Sequence, residues 1–457
     1  MSLPRLVVLT RLPEPGVAKT RLICALGPEG AAETHRCLAE HTLRRLRPLD
    51  AAGELQLEVR VDGDLRAARG WLGRGVRCRS QGAGDLQERV AGAFRSAFSQ
   101  RAERVVVVGS DCPALSDVHV RQAIAALDEA DVVFGPAIDG GYYLIALRRR
   151  AAPAIDSLLG VEFSTDHVLR DTCERARECG LTVQLLEELR DVDTPADLPE
   201  WEGVRAETSR APRTISVIVP ALNEAGCVAR AVESARGEPD VEVIVVDGGS
   251  TDATRDVAAA AGARVLTCEP GRARQLNAGA AEAAGEIVLF LHADTVLPHG
   301  FAEDVRRAHA DESVAAAAFE FSVDIDSAAM RFVERTVAWR ARRLRLPYGD
   351  QAPSMRASLF RAIGGFPDLP VMEDYELMLR LRRLGEIRII PKPAVTSGRS
   401  WARHGTAVTT AVNTATILGY RLGVPPKQLA RLRSRITRHL AEEGSAGLIA
   451  ENDAQSV

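Results

Sequence analysis

Short β-branched runs recur along the chain, and each ends in a cluster of polar residues. In the first half Leu6–Thr10, Leu55–Val61, Arg104–Gly109 and Asp131–Gly135 read as strands. Between them, Ala31–Leu46 and the stretch from Gln81 through Phe98 have helical character. In the second half Thr214–Val219, Val241–Val246, Arg264–Thr267, Ile287–Leu291 and Val314–Val323 read as strands. Helical stretches separate them, including the arginine-rich Met330–Leu346. The run Ile287–Leu291 is apolar throughout, as a parallel strand buried on both faces requires. Strands alternating with helices predict an α/β fold. Here the pattern occurs twice, giving two Rossmann-like domains with mainly parallel sheets, in tandem.

The expected boundaries are a first domain over 1–203, a linker over 204–213, a second domain over 214–443 and a disordered tail over 444–457. Pro199–Arg213 is polar and shows no periodic apolar face, so it reads as interdomain linker. Gly405–Tyr420 is uncharged but rich in Thr and Ala; it reads as a buried or interfacial helix rather than a membrane span.

Composition adds exclusions. The formal net charge is −4, so no global field selects nucleic acid or membrane. The eight cysteines form no CxxC pair, which argues against a zinc pattern or a disulfide framework and fits a reducing cytoplasm. The N-terminal apolar run is too short for a signal peptide.

The chemistry lies where the apolar runs stop, because ligands of open α/β sheets gather at the carboxyl ends of the strands. In the first half Leu6–Thr10 runs into a Pro/Gly loop bearing Gly16, Lys19 and Arg21, a phosphate cradle or an ordinary basic surface loop. Asp111 follows the third apolar run, Gly140 and Gly141 follow the fourth, and Asp193 precedes a Thr194-Pro195 helix start. In the second half three successive strands deliver Asn223-Glu224, Asp247 and Asp294. Singly each acid reads as a turn residue or helix cap; three in register point to a diphosphate and its divalent cation.

The segments PEPGVAKTRL, QGAGDL, GSDCP, GPAIDGGYYLI and DVDTPADL, spread over residues 5–200, resemble the DUF2064 family. That family is related to the 2-phospho-lactate and molybdenum-cofactor guanylyltransferases and is associated with arsenosugar biosynthesis. The resemblance implies that Gly16, Lys19 and Arg21 bind a triphosphate and that Asp111 and Asp193 hold Mg²⁺. Gly140 and Gly141 would flank the base or substrate. It implies a nucleotidyltransferase, although the loop lacks the fuller glycine-rich pattern of sugar-nucleotide pyrophosphorylases.

VIVPALNE, VIVVDGGSTD, RQLNAGA, LFLHADT and GGFPDLPVMEDYEL, over about residues 214–400, resemble family 2 glycosyltransferases of the GT-A fold. FLHADT, YGDQA and MEDYEL are similar to the subfamily associated with arsenosugar biosynthesis. This resemblance implies donor contacts from Pro220, Asn223, Glu224, Asp247, Asp252, Gln275 and Asn277. It implies a metal, Mg²⁺ or Mn²⁺, on Asp294, and catalysis by Asp374 with Glu373 beside it. His292 stands where generic members carry Asp, and is open between donor contact, metal ligand and packed histidine. Asp350 and Gln351 are the expected acceptor contacts. The implied activity is inverting glycosyl transfer from a nucleotide-diphospho-sugar to a small-molecule acceptor, with a nucleoside triphosphate used by the first half. Two alternatives stay open: a non-catalytic nucleotide-binding first half, and a membrane-surface enzyme with a lipid or carotenoid acceptor.

Overall fold

The computed structural model describes residues 2–73, 76–161, 167–209 and 213–436. The chain divides into two compact units, Met1–Ser209 and Arg210–Val457. The expected tail over 444–457 lies outside the described residues.

The first unit is a seven-stranded sheet. Its strands are β1 (Arg5–Arg11), β2 (Gln56–Asp62), β3 (Cys78–Ser80), β4 (Arg104–Val108), β5 (Val132–Pro136), β6 (Tyr142–Arg148) and β7 (Val183–Leu185). They lie in the order β3-β2-β1-β4-β6-β5-β7. All neighbours are parallel except those of β6, which runs antiparallel to β4 and β5. Leu6, Val8, Val59, Val106 and Val108 pack on one face, and Val7, Val105, Val107, Phe94 and Phe134 on the other. Burial on both faces is why β1 and β4 read as unbroken apolar runs.

The second unit is an eight-stranded sheet: β8 (Ile215–Ala221), β9 (Val241–Asp247), β10 (Arg264–Thr267), β11 (Ile287–Phe290), β12 (Thr295–Val296), β13 (Val314–Val323), β14 (Ser354–Arg356) and β15 (Glu386–Thr396). The order is β10-β9-β8-β11-β14-β13-β15-β12. The first four are parallel, and β14 joins β11 antiparallel. In both sheets, then, the chain winds out to one edge over three strands and returns beside the first. The carboxyl ends of β1 and β4, and of β8 and β11, therefore flank a topological switch point.

One expectation about a surface segment is corrected and another is narrowed. Residues Leu198–Ser209 form a helix, not irregular linker. Its Trp201 is buried against Leu38 and Val192, with Leu198 and Val204 packed beside it. Those three apolar residues recur every third position and fasten the helix to the first unit. The helix Thr406–Arg421 is neither buried nor apolar enough to be a span: Thr416 is its one buried residue. Among the described residues, no helix is long and apolar enough to cross a membrane.

Candidate functional sites

In the first unit the carboxyl end of β1 leads into a loop that turns at Gly16 and Lys19, both in the left-handed backbone region. Lys19 is folded inward, its side chain 6% exposed, and its Nζ lies 3.0 Å from Asp111 and 3.3 Å from Asp193. Arg21 reaches the other oxygen of Asp193 at 2.6 Å. Asp111 follows β4. Asp193 is fixed by the next turn, where Thr194 and Asp197 cap each other reciprocally ahead of Pro195. Burial pushes Asp111 up, but the ammonium of Lys19 outweighs it and holds the carboxyl below its ordinary range.

A cavity of about 730 Å³ opens beside this group, lined among others by Thr10, Arg21, Asp111, Asp139, Asp191 and Asp193. Asp191 is pushed up to about 6 by burial and by the charges of Asp111 and Asp139. It was not singled out from sequence, where it is one of several acids in a loop. Gly141 lines the cavity and donates its N–H to Asp139 at 2.9 Å. Gly140 supplies the positive φ of that turn. The geometry thus brings Lys19, Arg21, Asp111, Asp193 and Gly141 together, while Gly16 shapes the loop.

In the second unit the end of β8 carries Asn223 and Glu224, with Asn223 in the left-handed region. Asn223 accepts from the Thr251 N–H at 2.8 Å, and its own N–H donates to Ser250 Oγ at 2.8 Å. Glu224 N–H donates to Thr254 Oγ1, and Ala225 N–H to Asp252 at 3.2 Å. These bonds lock the loop after β8 to the loop after β9. Half-buried Pro220 sits at the end of β8, opposite Val246.

Several residues expected at the ligand are held by hydrogen bonds and ion pairs within the unit. Asp247 is fully buried, and its carboxylate accepts the N–H groups of Gly249 and Ser250. It shapes the turn instead of facing solvent. Gln275 donates both amide hydrogens, to Ala221 O and Val246 O at 2.8 Å each, and so clamps the ends of β8 and β9. Asn277 exchanges two bonds with the backbone of Phe366 and anchors the Gly364-Gly365 loop. Gln351 is fully buried and donates to Phe319 O at 2.8 Å, which removes it from the acceptor surface. Glu373 is 1% exposed and paired with Arg272, so its carboxylate holds the arginine and is not presented as a catalyst.

What remains open forms one cluster. Asp294, just past β11, accepts from Arg399 Nη2 at 3.3 Å. The same nitrogen lies 2.8 Å from Glu224. Arg399 follows β15, whose last residue, Thr396, also reaches Asp294 Oδ1 at 3.5 Å. Asp374 opens the helix Glu373–Leu381 and accepts N–H groups from Gly349 at 3.0 Å and Tyr375 at 2.7 Å. Burial pushes Asp374 up, but Arg272, those two N–H groups and His292 outweigh it, and its carboxyl stays below the ordinary range.

Gly349 is wedged between catalytic candidates. A methyl group there would lie 2.6 Å from His292 Nε2 and 3.4 Å from Asp374 Oδ2. His292 is pushed down to about 4, first by burial and then by Arg272, so its imidazole is neutral at pH 7. Asp350 is pushed up to about 6 by burial, and its Oδ1 has no hydrogen-bond partner. Arg340, on the helix Ala328–Leu344, stacks 3.6 Å over the Tyr348 ring beside it. Arg433, on the helix over 426–436, interacts electrostatically with Arg272, Asp374 and Glu373. No local signal in the sequence ties that helix to Asp374 and Glu373, about sixty positions earlier.

Among the described residues, no group of three or more His, Cys, Asp or Glu side chains is arranged to hold a metal ion. The donor chemistry is nonetheless suitable. In each unit two carboxylates converge on a single cationic nitrogen: Asp111 and Asp193 on Lys19, Glu224 and Asp294 on Arg399. Oxygen donors of this kind suit Mg²⁺ or Mn²⁺, with phosphate oxygens completing the shell.

Comparison with known proteins divides the chain the same way. Residues 45–165 match the family described as "Uncharacterized protein conserved in bacteria (DUF2064)", and residues 216–363 match "Glycosyl transferase family 2". Glucosyl-3-phosphoglycerate synthase of Mycobacterium tuberculosis (strain ATCC 25618 / H37Rv) is 38% identical over 120 residues, 24% of this chain and 37% of the relative. The chain thus spans little more than a third of that curated relative's length. A crystal structure of that synthase with Mn²⁺, UDP and glucosyl-3-phosphoglycerate aligns at 24% identity. It covers 48% of this chain and 83% of its own, with a TM-score of 0.36. A putative nucleotide-diphospho-sugar transferase from Desulfovibrio desulfuricans G20 aligns at 28% identity over 45% of this chain and 98% of its own, TM-score 0.38.

Proposed function

We propose, for a chain that joins a DUF2064 region to a family 2 glycosyl transferase region in tandem, that the second unit is an inverting, metal-dependent glycosyltransferase. Its donor is a nucleotide-diphospho-sugar and its acceptor a small molecule. The observation that carries this reading is the pairing of an open strand-end acid, Asp294, with an ionised, backbone-held acid, Asp374, across Gly349 and His292. The glycosyl-transfer name of the 38% identical relative supports the reaction class.

The loops after β8 and β9 wall the nucleoside. Asp294, with Glu224 beside it, would hold a Mg²⁺ or Mn²⁺ ion. That ion, when bound, offsets the charge that develops on the leaving diphosphate. Arg399 is half-exposed and can turn from the two acids to the diphosphate oxygens. Asp374 accepts the proton of the acceptor hydroxyl as that oxygen attacks the anomeric carbon from the face opposite the diphosphate. One base, with no partner nucleophile among the described residues, gives inversion. Neutral His292 and Asp350, with its unpaired oxygen, orient the acceptor.

For the first unit we propose nucleotidyl transfer, with the triphosphate at Lys19 and Arg21 and a divalent cation at Asp111 and Asp193. A second reading, nucleotide binding without turnover, is favoured by Lys19 being already committed to both acids. Assaying pyrophosphate release from each nucleoside triphosphate together with candidate phospho-sugar acceptors, by wild type and Asp111→Ala, separates the two. For the second unit, full-length protein is mixed with Mn²⁺, a panel of nucleotide sugars and a panel of small hydroxylated acceptors, with water as the fallback acceptor, and nucleoside diphosphate release is followed. Release from one donor that disappears in Asp294→Ala and persists in Asp111→Ala is the expected result. Release from none, or equal release in Asp294→Ala, defeats the proposal.

A further inference from the structure

The chain has few aromatic residues, and nearly all of the described ones are covered. Among the described Phe and Trp residues, the large exposed ones are Phe332 and Trp339, 67% and 60% exposed. They lie seven positions apart on the single helix Ala328–Leu344, and so on one face of it. Its other side is fixed to the second unit by Met330, Val333 and Ala341, which are buried. Leu344, at the end of the helix, is also exposed.

The charged residues on the open face are arginines. Arg331 pairs with Asp326 and Arg342 with Glu320. Arg335, Arg343 and Arg345 are exposed and have no ion pair among the described residues. Phe332, Arg335, Trp339 and Arg343 recur at three- and four-residue steps, a continuous stripe of aromatic rings and guanidinium groups. The helix Thr406–Arg421 packs against this one and carries the exposed Leu418; Leu422, 84% exposed, follows it.

Ordinary solvation explains scattered arginines but not two open aromatic rings between them, since an uncovered Phe or Trp forfeits its hydrophobic gain. We propose that this face binds the surface of an anionic lipid bilayer. Aromatic rings beside arginines suit the headgroup boundary, where the ring enters the acyl edge and the guanidinium meets phosphate. Anionic lipid complements the unpaired arginines locally, although the whole chain carries net charge −4. The attachment is peripheral, and it adds to the proposed transferase activity without depending on it. The same helix supplies Arg340 to the Tyr348 loop, so the lipid-facing helix also walls the acceptor side of the cluster.

The test uses the full chain and sedimentation with large vesicles of phosphatidylcholine, with or without phosphatidylglycerol, at low and moderate salt. Wild type is expected to bind the anionic vesicles at least about tenfold tighter than the neutral ones, and less tightly as salt rises. Phe332→Ser/Trp339→Ser and Arg335→Glu/Arg343→Glu are each expected to lose about tenfold or more. The four side chains are exposed, so thermal unfolding of both double variants should match wild type. Absence of binding to anionic vesicles overturns the proposal, as does binding by both double variants equal to wild type. It is equally overturned if wild type is a dimer that the Phe332→Ser/Trp339→Ser variant splits and vesicles do not bind, because the face then belongs to a second copy.

Discussion

Replacing Asp350 with Asn should stabilise the second unit at neutral pH while reducing its activity. Burial raises the Asp350 carboxyl from its ordinary 3.8 to about 6, against the pull of Arg340 and Arg272. The folded chain therefore holds this proton more tightly than the unfolded chain does. The stability it contributes is fully present below the unfolded value near 4 and is lost as pH rises through about 6. At 1.36 kcal/mol for each tenfold change in proton affinity, ionised Asp350 costs the fold up to about 3 kcal/mol at pH 8. Asn has nearly the same shape and no charge, so it removes that cost. At about 2–4 °C per kcal/mol for a unit of this size, the melting transition should rise by roughly 6–12 °C at pH 8 and hardly change at pH 4.5. Calorimetry of wild type and Asp350→Asn at both pH values measures this. Equal melting temperatures at pH 8, or a shift of the same size at pH 4.5, would refute the reasoning. If Asp350 orients the acceptor as a carboxylate, wild-type turnover should also rise with pH through about 6, and Asp350→Asn should lose that limb.

Gly349→Ala places a methyl group 2.6 Å from His292 Nε2, so His292 or the Asp374-bearing turn must move, and turnover should fall about a hundredfold with circular dichroism unchanged. Glu373→Gln should cost about 2 kcal/mol in urea unfolding, because it replaces a charge-assisted bond to Arg272 with a neutral one; Glu373→Ala should do no less. Lys19→Ala leaves Asp111 and Asp193 without their shared ammonium, so the first unit should lose stability at pH 7 and recover part of it on adding Mg²⁺, read by thermal shift.

The strand ends were legible because the physics behind them is local. An apolar run such as Ile287–Leu291 buries both faces, and the next polar residues have to emerge at its carboxyl end, which located Asp294, Asp111 and Asn223-Glu224. The division of labour between neighbours was not legible. Glu373 and Asp374 are consecutive on one helix, so their side chains diverge by about 100° and one is buried while the other faces the cleft. Asp350 and Gln351 divide in the same way. Gln275 and Asn277 looked like ligand contacts because polar residues at a cleft invite that reading. Their partners are backbone carbonyls and amides of distant strands and loops, which sequence spacing does not reveal. The Arg399–Glu224 pair joins residues 175 positions apart, and no periodicity encodes such a contact. The helix Leu198–Ser209 was missed because one buried Trp201, with two apolar neighbours, anchors an otherwise polar segment.

The central claim is that Asp374 removes the proton from the attacking hydroxyl in the second unit. It is tested most directly by single-turnover cleavage of the nucleotide sugar that stabilises the chain most, with Mn²⁺ and water as acceptor. Wild type is compared with Asp374→Asn. The account predicts a cleavage rate about 10²–10⁴ lower in the variant, with donor affinity within a few-fold of wild type. Cleavage by Asp374→Asn at the wild-type rate would contradict it.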